Sequence, residues 1–378
     1  MKKILQYEPF INRQGIAKEL LKYSLSKYYF TEYKKTRLFE KKIAKFLNVK
    51  HCFATNNGTI SLVIALLAIG IKPGDLILVP DLTMIATANA ARLIGAELIF
   101  VDIDPRNLCL DLNKAKNFIR LASCEDCAKK EVKAVIYVSL NGRKHPKEEY
   151  DNFLRFCQYN NVAIIEDNAQ SFGSKINKTY ISCPLGGIGS FSFSVPKIIT
   201  TGQGGALVTN RDDLADKIKT LKDHGRLTGG HDNYDYFGIN SKFTDLQAIV
   251  GINQLKTIEY RVIRKKRIFY LYRKSLSGIN EIKFIETDLY NTTPWFVDIY
   301  VENRDELQEY LLKRNIQTRK IYAPIHTQKA YEDYNNCKIL ITEKYCSMGL
   351  WLPSSINLSD EQIMKICKII KQFYKRKR

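Results

Sequence analysis

The sequence predicts an α/β protein in which helices cover both faces of a mostly parallel sheet, followed by a smaller α+β domain. Near-continuous apolar strands alternate with helical segments up to about residue 210, a pattern typical of parallel strands buried on both sides. Beyond about residue 240, long helices come first and short strands follow. We therefore expect a large domain over 1–240, which includes an N-terminal arm, and a smaller one over 241–378.

The elements of the large domain follow from the periodicity of the apolar residues. Helical periodicity covers 36–47, and a short apolar strand follows at 51–55. Helices are then predicted over 60–69 and 84–93, between strands over 76–79 and 97–103. Two buried strands over 133–139 and 162–166 enclose another helix, and a further strand covers 205–210.

The C-terminal part has a different order of elements. One or two helices are predicted over 244–275, and strands over 282–285 and 295–301. A helix over 305–314 and a closing helix over 360–374 complete the smaller domain. Residues 122–131 are polar and are expected to form a surface insertion.

Composition narrows the class of protein. The chain has 378 residues, of which 45% are hydrophobic, so it can bury a large core. No apolar run is long enough to span a membrane and the N-terminus has no signal-peptide core, so we expect no membrane partner and a cytoplasmic location. Nine cysteines in mostly apolar segments indicate reduced thiols. Cys124 and Cys127 form a lone CxxC pair, and we expect no metal site.

The formal net charge of +20 raises the possibility of a nucleic-acid partner. Lysines and arginines are spread over many helices, however, and the densest cluster, 375–378, is a terminal tail. The sequence contains no zinc finger, helix-turn-helix or aromatic RNA-binding motif. We therefore expect no nucleic-acid partner, since a phosphate-bearing small substrate suits the same positive field.

Residues 190–205 form the most distinctive segment of the chain. Serine and phenylalanine alternate before a lysine and a glycine-rich turn, so the rings share one face and the hydroxyls, including that of Ser192, the other. Lys197 lies between Pro196 and two isoleucines, where desolvation would lower the pKa of its amine and make it a nucleophile. The alternative is a surface lysine after an edge strand.

Ligands of parallel sheets gather where the strands end, which selects the loops 56–59, 81–83 and 167–170 and the lysine turn. Gly58 and Thr59 begin a helix, whose free N–H groups suit a phosphate, although a plain N-cap is about equally consistent. Asp167 ends an apolar strand, where a buried carboxylate needs a cationic partner. The protonated nitrogen of a pyridine ring would be such a partner. The alternative is that the Asp167 carboxylate caps the next turn.

The motifs 57–59, 166–173, 190–193 and 197–205 closely resemble those of the DegT/DnrJ/StrS sugar-nucleotide aminotransferases, which are pyridoxal-phosphate enzymes of fold type I. The resemblance covers essentially the whole chain and continues through 223–225, 238–248, 324–326 and 352–353. It implies a large domain with a seven-stranded type of sheet. It also implies the cofactor pyridoxal 5′-phosphate, which alternates with its amino form, pyridoxamine phosphate, during the reaction.

The resemblance also implies the roles of the catalytic residues. Lys197 would bond covalently to the cofactor and then shuttle a proton. Asp167 would pair with the pyridinium nitrogen, and Gln170 would lie near the phenolic oxygen of the ring. Met84 stands where many members of the family place an aromatic residue that stacks on the ring, and a thioether can pack there too.

The remaining implied roles concern the phosphate and the substrate. Gly58, Thr59 and Ser192 would hold the cofactor phosphate. Asn240 would reach that phosphate from the neighbouring subunit of a homodimer. His326 would lie at the sugar-nucleotide end of the site, although a loop histidine beside a proline is the alternative.

The activity implied is amino transfer from glutamate to a nucleotide-linked 4-keto-6-deoxyhexose, in the synthesis of surface glycans. The run 80–90 looks most like the perosamine-forming members, which use a GDP-linked sugar. Viosamine-type enzymes acting on dTDP or UDP sugars, and 3-aminotransferases, stay open as alternatives. A non-catalytic regulator that binds the cofactor or a sugar nucleotide would be expected to lack Lys197 or Asp167, and both are present.

Overall fold

The computed structural model describes residues 3–122, 130–184, 186–227, 234, 236–334 and 338–376. Its helices are α1 (Arg13–Ser24), α2 (Lys34–Leu47), α3 (Gly58–Ala68), α4 (Ala86–Leu93), α5 (Leu112–Ala122), α6 (Lys147–Tyr159), α7 (Asp212–Lys222), α8 (Asp245–Leu255), α9 (Ile258–Leu276), α10 (Arg304–Leu312), α11 (Leu340–Met348) and α12 (Asp360–Lys375). Its strands are β1 (His51–Thr55), β2 (Leu76–Pro80), β3 (Glu97–Val101), β4 (Val132–Val138), β5 (Ala163–Asp167), β6 (Lys175–Ile176), β7 (Thr179–Tyr180), β8 (Ile188–Ser192), β9 (Gly205–Thr209), β10 (Val297–Tyr300), β11 (Arg319–Lys320) and β12 (Gly349–Leu352).

A seven-stranded sheet has the order β1-β9-β8-β5-β4-β2-β3. The strands β3, β2, β4, β5 and β8 pair in parallel, and β9 is antiparallel to both of its neighbours. The predicted class, a mostly parallel sheet with helices on both faces, is confirmed. Because β4, β5 and β8 are parallel, their carboxyl ends meet at one edge, where Asp167 lies in register with Val138 and Ser190.

Alternation along the strands places apolar side chains against helices on both faces. Ile77 and Val79 of β2 pack in a cluster with α3, α4 and α7. Leu78, between them, packs on the opposite face in a cluster with α5 and α6. Burial on both faces explains why the strands read as continuous apolar runs in the sequence.

A second sheet, with the order β10-β12-β11, is antiparallel and packs in a cluster with α9, α10 and α12. The strand predicted over 282–285 was wrong, because Lys283 forms only an isolated bridge with Tyr300. The helical stretch 244–275 divides into α8 and α9. The domain boundary at 240 stays a prediction; Ala248 of α8 shares a core cluster with Phe39 of α2.

In the described part of the chain, no helix has the length and apolarity that a membrane span requires. Within the same residues, no three histidine, cysteine or acidic side chains are grouped so that they could hold a metal ion. Cys124 and Cys127 lie outside the described residues.

Candidate active site

Lys197 lies on the turn that follows β8, and the backbone around it is fixed by three distant side chains. Each donates a hydrogen bond to the carbonyl of a residue that flanks the lysine: Tyr7 to Val195 (3.0 Å), Trp295 to Pro196 (2.7 Å) and Arg261 to Ile198 (3.0 Å). The donors come from the N-terminal arm, the segment before β10, and α9. The position of the lysine is therefore set by elements far from it in sequence.

The environment of the lysine favours a reactive amine. Burial lowers the pKa of Lys197 to about 8, while the negative charge of Asp167 raises it and the positive charge of Arg319 lowers it. A pKa of about 8 leaves roughly a tenth of the amine neutral at pH 7, against less than about a thousandth for an ordinary lysine. The Nζ atom lies 4.2 Å from the centre of the Trp295 ring, which stabilises the charged fraction.

Asp167 ends β5 and is 6% exposed. Its carboxylate accepts a hydrogen bond from the Thr87 hydroxyl (2.7 Å) and one from the Ala169 backbone N–H (3.1 Å). Burial raises the pKa of Asp167, and these two bonds and the charge of Lys197 oppose that shift. Asp167 and Lys197, both described, interact electrostatically without a direct ion pair. A cation placed against this carboxylate would keep it ionised.

Gln170 is oriented by Asn141, which lies in the turn that follows β4. The backbone N–H of Asn141 donates to Gln170 Oε1 (2.8 Å), so the amide NH₂ group is available to another acceptor. The Asn141 side chain bonds in turn to the backbone of Phe296 and to Asp298. The amide is therefore anchored to the smaller sheet.

Gly58 and Ser192 come together although 134 positions separate them (192 − 58 = 134). A Cβ atom at Gly58 would lie 2.9 Å from the Ser192 Cβ atom, so only glycine permits this approach. The Asn57 side chain caps Ile60 N at 2.9 Å, and the N–H groups of Gly58 and Thr59 begin α3. A helix N-terminus beside a hydroxyl group is suited to a phosphate.

One cavity is lined by three of the predicted residues, Gln170, Ser192 and Lys197, together with Trp295. A larger cavity of about 650 Å³ lies at the opposite edge of the sheet, where β5 begins, and includes none of the predicted residues. The carboxyl edge therefore gathers the predicted lysine, amide and hydroxyl groups, as the strand order requires.

Met84, Asn240 and His326 do not line this cavity. Met84 is 45% exposed in the loop between β2 and α4. Asn240 is exposed, and its backbone forms an isolated antiparallel β-bridge with Asp223. His326 is only 2% exposed: Asp81 lies 2.7 Å from its Nδ1 atom and Glu343 lies 3.3 Å from its Nε2 atom. Both of its ring nitrogens are occupied in this structure, so its contact with a substrate stays a prediction.

Four residues of the site were missed in the sequence: Tyr7, Thr87, Asn141 and Trp295. Thr87 gave no signal in the sequence, since α4 also contains the polar residues Asn89 and Arg92 and the burial of Thr87 is visible only in the structure. Trp295 is one of only two tryptophans in the chain. No local pattern connects either residue with Asp167 or Lys197.

These residues fit pyridoxal phosphate. The close approach of Gly58 to Ser192 gives its phosphate a hydroxyl donor beside a helix N-terminus. The buried carboxylate of Asp167 suits a protonated pyridine nitrogen, and the Gln170 amide can donate to an anionic ring oxygen. Lys197 supplies an amine of lowered pKa for the aldehyde.

Comparison with known proteins identifies the same chemistry. The model of the DegT/DnrJ/EryC1/StrS aminotransferase family matches residues 13–371. The chain is 34% identical to GDP-perosamine synthase of Escherichia coli O157:H7, over 89% of each chain. It is 30% identical to the UDP-2-acetamido-2-deoxy-3-oxo-D-glucuronate aminotransferase of Pseudomonas aeruginosa, over 87% of this chain and 88% of the relative.

The fold agrees with that of a solved relative. A DegT DnrJ EryC1 StrS aminotransferase from Brucella abortus superposes with a TM-score of 0.85 at 29% identity, covering 95% of this chain and 94% of its own. The family model spans nearly the whole sequence, and Gln170, Ser192 and Lys197 line one cavity at the carboxyl edge of the sheet. The chain therefore belongs to the DegT/DnrJ/EryC1/StrS aminotransferase family and is a pyridoxal-phosphate-dependent aminotransferase of nucleotide sugars.

Proposed function

We propose that this enzyme transfers the amino group of glutamate to the keto group of GDP-4-keto-6-deoxymannose and forms GDP-perosamine. The observation that carries amino transfer is an amine with a pKa of about 8 in the field of a buried carboxylate, beside a phosphate cradle. The likeness to GDP-perosamine synthase supports the choice of sugar nucleotide.

Each residue of the site has a distinct task in this proposal. The bound cofactor supplies an electron sink for the carbon that loses a proton. Lys197 would bind it and then carry that proton, for which a pKa near the working pH is well suited. Asp167 would hold a proton on the pyridine nitrogen, and Thr87 fixes the orientation of the carboxylate. Gln170 would bind the phenolic oxygen.

The phosphate and the open face of the cofactor involve other residues. Gly58, Thr59 and Ser192 would hold the phosphate through backbone N–H and hydroxyl groups. Met84, which is 45% exposed in the loop between β2 and α4, would pack on the ring. His326 would reach the sugar nucleotide if the contact with Glu343 at its Nε2 atom opened.

We also propose a homodimer with shared sites. Several aromatic side chains are exposed, Tyr29 at 70%, Phe30 at 50%, Tyr236 at 60% and Phe237 at 73%. A second copy would cover such apolar surface, and Asn240, exposed close to Phe237 in sequence, would then reach the partner's phosphate site.

Sedimentation velocity tests the dimer. Loss of cofactor affinity in Asn240→Ala without loss of the dimer tests the residue. A cytoplasmic location stays a prediction of the sequence.

A second candidate differs in the sugar. The relative from Pseudomonas aeruginosa is named for a UDP-linked 3-oxo sugar and is 30% identical, which favours a 3-aminotransferase as the alternative. A 4-aminotransferase acting on a dTDP- or UDP-linked 4-keto-6-deoxyglucose is a further one. A regulator that binds cofactor or sugar nucleotide without turnover would leave both substrates unchanged.

Two experiments test the proposal. An absorption band near the visible edge that shifts with glutamate, is lost in Lys197→Ala and is kept in Lys320→Ala would support amino transfer. Incubation with glutamate and a panel of GDP-, dTDP- and UDP-linked 4-keto and 3-keto sugars, with the products identified by mass and NMR, would fix the substrate. A protein that stays colourless with added pyridoxal phosphate would refute the function, and turnover of only a 3-keto sugar would refute the substrate.

A further inference from the structure

Asn168 is a fully buried residue directly after β5, and the roles described above leave it without a task. Its Nδ2 atom donates to the Ser182 carbonyl (2.8 Å) and to Glu166 Oε2 (3.3 Å). Its Oδ1 atom accepts from the hydroxyl groups of Ser139 (3.2 Å) and Ser171 (3.1 Å). These bonds use both N–H groups and both lone pairs of the amide. The side chain therefore joins the ends of β4 and β5 to the segment before β8.

The partners of Asn168 require an amide in one orientation. The groups that face Nδ2 are a backbone carbonyl and the carboxylate of Glu166, which is paired with Lys144 at 2.6 Å, and both can only accept. The groups that face Oδ1 are hydroxyls, which can donate. An aspartate at this position would place an oxygen atom against two acceptors, and an alanine would remove all four bonds.

The amide lies behind the sheet as seen from the candidate active site. Side chains alternate along a strand, so Glu166 points to the face covered by α6, where Tyr150 donates to it at 2.7 Å. Asp167 points to the other face, where Thr87 of α4 donates to it. Asn168 contacts Glu166 and does not line the cavity that contains the reactive lysine. Any effect of the amide on the cofactor must therefore act through the backbone.

The backbone on both sides of the Asp167 side chain is fixed by the same segments. The Ser139 N–H donates to the Asp167 carbonyl (3.2 Å), and the Asn168 N–H donates to the Ser190 carbonyl (2.8 Å). The Ser171 N–H closes the following turn on the Asn168 carbonyl (3.1 Å). Ser139 and Ser171 thus bind both the backbone of this turn and the amide of Asn168. Loss of the amide would loosen the segment that sets the direction of the Asp167 carboxylate.

We propose that Asn168 is a positioning residue, which holds Asp167 and Gln170 against the pyridine ring from the opposite face of the sheet. The inference rests on the roles proposed for those two residues, and not on which sugar nucleotide is the substrate. A carboxylate holds a proton on the ring nitrogen only while it is aligned with that nitrogen, because hydrogen bonds weaken steeply as the angle departs from linear.

The test compares Asn168→Ala with Asn107→Ala. Asn107 is another buried asparagine, 7% exposed in the loop after β3, and accepts a hydrogen bond from the Cys109 N–H at 2.8 Å. ¹⁵N NMR of bound pyridoxal phosphate that is labelled at the ring nitrogen reports the protonation of that atom without turnover. We expect Asn168→Ala to shift this signal toward that of a neutral ring and to weaken cofactor affinity about tenfold. Asn107→Ala should lower thermal stability and leave both quantities unchanged.

Ser139→Ala is a milder variant that decides the question if Asn168→Ala does not fold. It removes one of the four bonds to the amide, so both quantities should change in the same direction by a smaller amount. An unchanged nitrogen signal and an unchanged cofactor affinity in the folded variant, or equal changes in Asn107→Ala, would overturn the positioning role.

Kinetics give a second readout. Because Asn168 contacts neither substrate in this proposal, Asn168→Ala should lower kcat in both half-reactions and leave the KM values for glutamate and the keto sugar nearly unchanged. A raised KM with an unchanged kcat would contradict the role. If the wild type turned over none of the keto sugars, the proposed function would fail, while the NMR measurement would still decide the role of Asn168.

Discussion

Replacing Trp295 tests whether an aromatic ring controls the protonation of the reactive lysine. The ring lies 4.2 Å from Lys197 Nζ, and its Nε1–H donates to the Pro196 carbonyl at 2.7 Å. Trp295→Leu removes both contacts, whereas Trp295→Phe keeps a ring and removes only the N–H donor. The two variants therefore separate the effect of the ring from the effect of the hydrogen bond.

The structure sets the sign and size of the effect. The ring stabilises the charged amine, so its loss should lower the pKa of Lys197 further below about 8. A cation–π contact of about 0.5–2 kcal/mol corresponds to a fall of about 0.4–1.5 pKa units, at about 1.36 kcal/mol per unit. Trp295→Phe should give a smaller fall, because phenylalanine keeps a π face.

The rate at which the cofactor-free protein takes up pyridoxal phosphate, followed by absorbance across a pH series, reports this pKa, because only the neutral amine reacts. Trp351→Phe is the matched control: Trp351 packs against Trp295 in the same core and is equally buried, but does not contact the lysine. The reasoning would be refuted by an unchanged midpoint in Trp295→Leu, or by an equal shift in the control.

Three other substitutions test separate parts of the structure. Thr87→Val removes the 2.7 Å hydrogen bond to Asp167, which should raise the pKa of that carboxyl further. An absorbance titration should then show cofactor affinity weakened about 10- to 100-fold. Thr87→Ser keeps the hydroxyl and should restore the affinity. Asp298→Asn removes the partner of Arg143 and leaves that arginine charged and buried, since both members of the ion pair are 2% exposed. The substitution should lower the free energy of unfolding, measured in urea, by about 3–5 kcal/mol. A loss below about 1 kcal/mol would contradict this prediction. Burial lowers the pKa of Lys265 to about 7, so the unfolded chain binds more protons than the folded one above that pH. Wild-type stability should therefore rise relative to Lys265→Met as the pH increases from about 7 to about 10, and parallel pH profiles in urea unfolding would show that the lysine is not desolvated.

Much of the fold could be predicted because it is encoded locally. The strands β1, β2, β4 and β5 begin and end within two residues of the bounds predicted for them. A strand that is buried on both faces consists of apolar residues throughout, so its bounds can be read from the sequence. The strand predicted at 282–285 was wrong because only Lys283 pairs with the smaller sheet, through one bridge to Tyr300, and a single bridge does not extend into a strand. The strand β12 was not predicted; it pairs with β10 and β11, which are both distant from it in the sequence.

The sequence by itself determined the carboxyl-edge loops, the lysine after an alternating strand and the carboxylate that ends β5, because turn residues, alternation and strand ends are local properties. Only the tertiary structure decided that Trp295 and Thr87 contact Lys197 and Asp167, and that His326 is held between two carboxylates. Trp295 bonds to a residue 99 positions away, and Thr87 to one 80 positions away. Such contacts are created when separate elements pack together, and no pattern within either segment specifies which distant side chain it will meet.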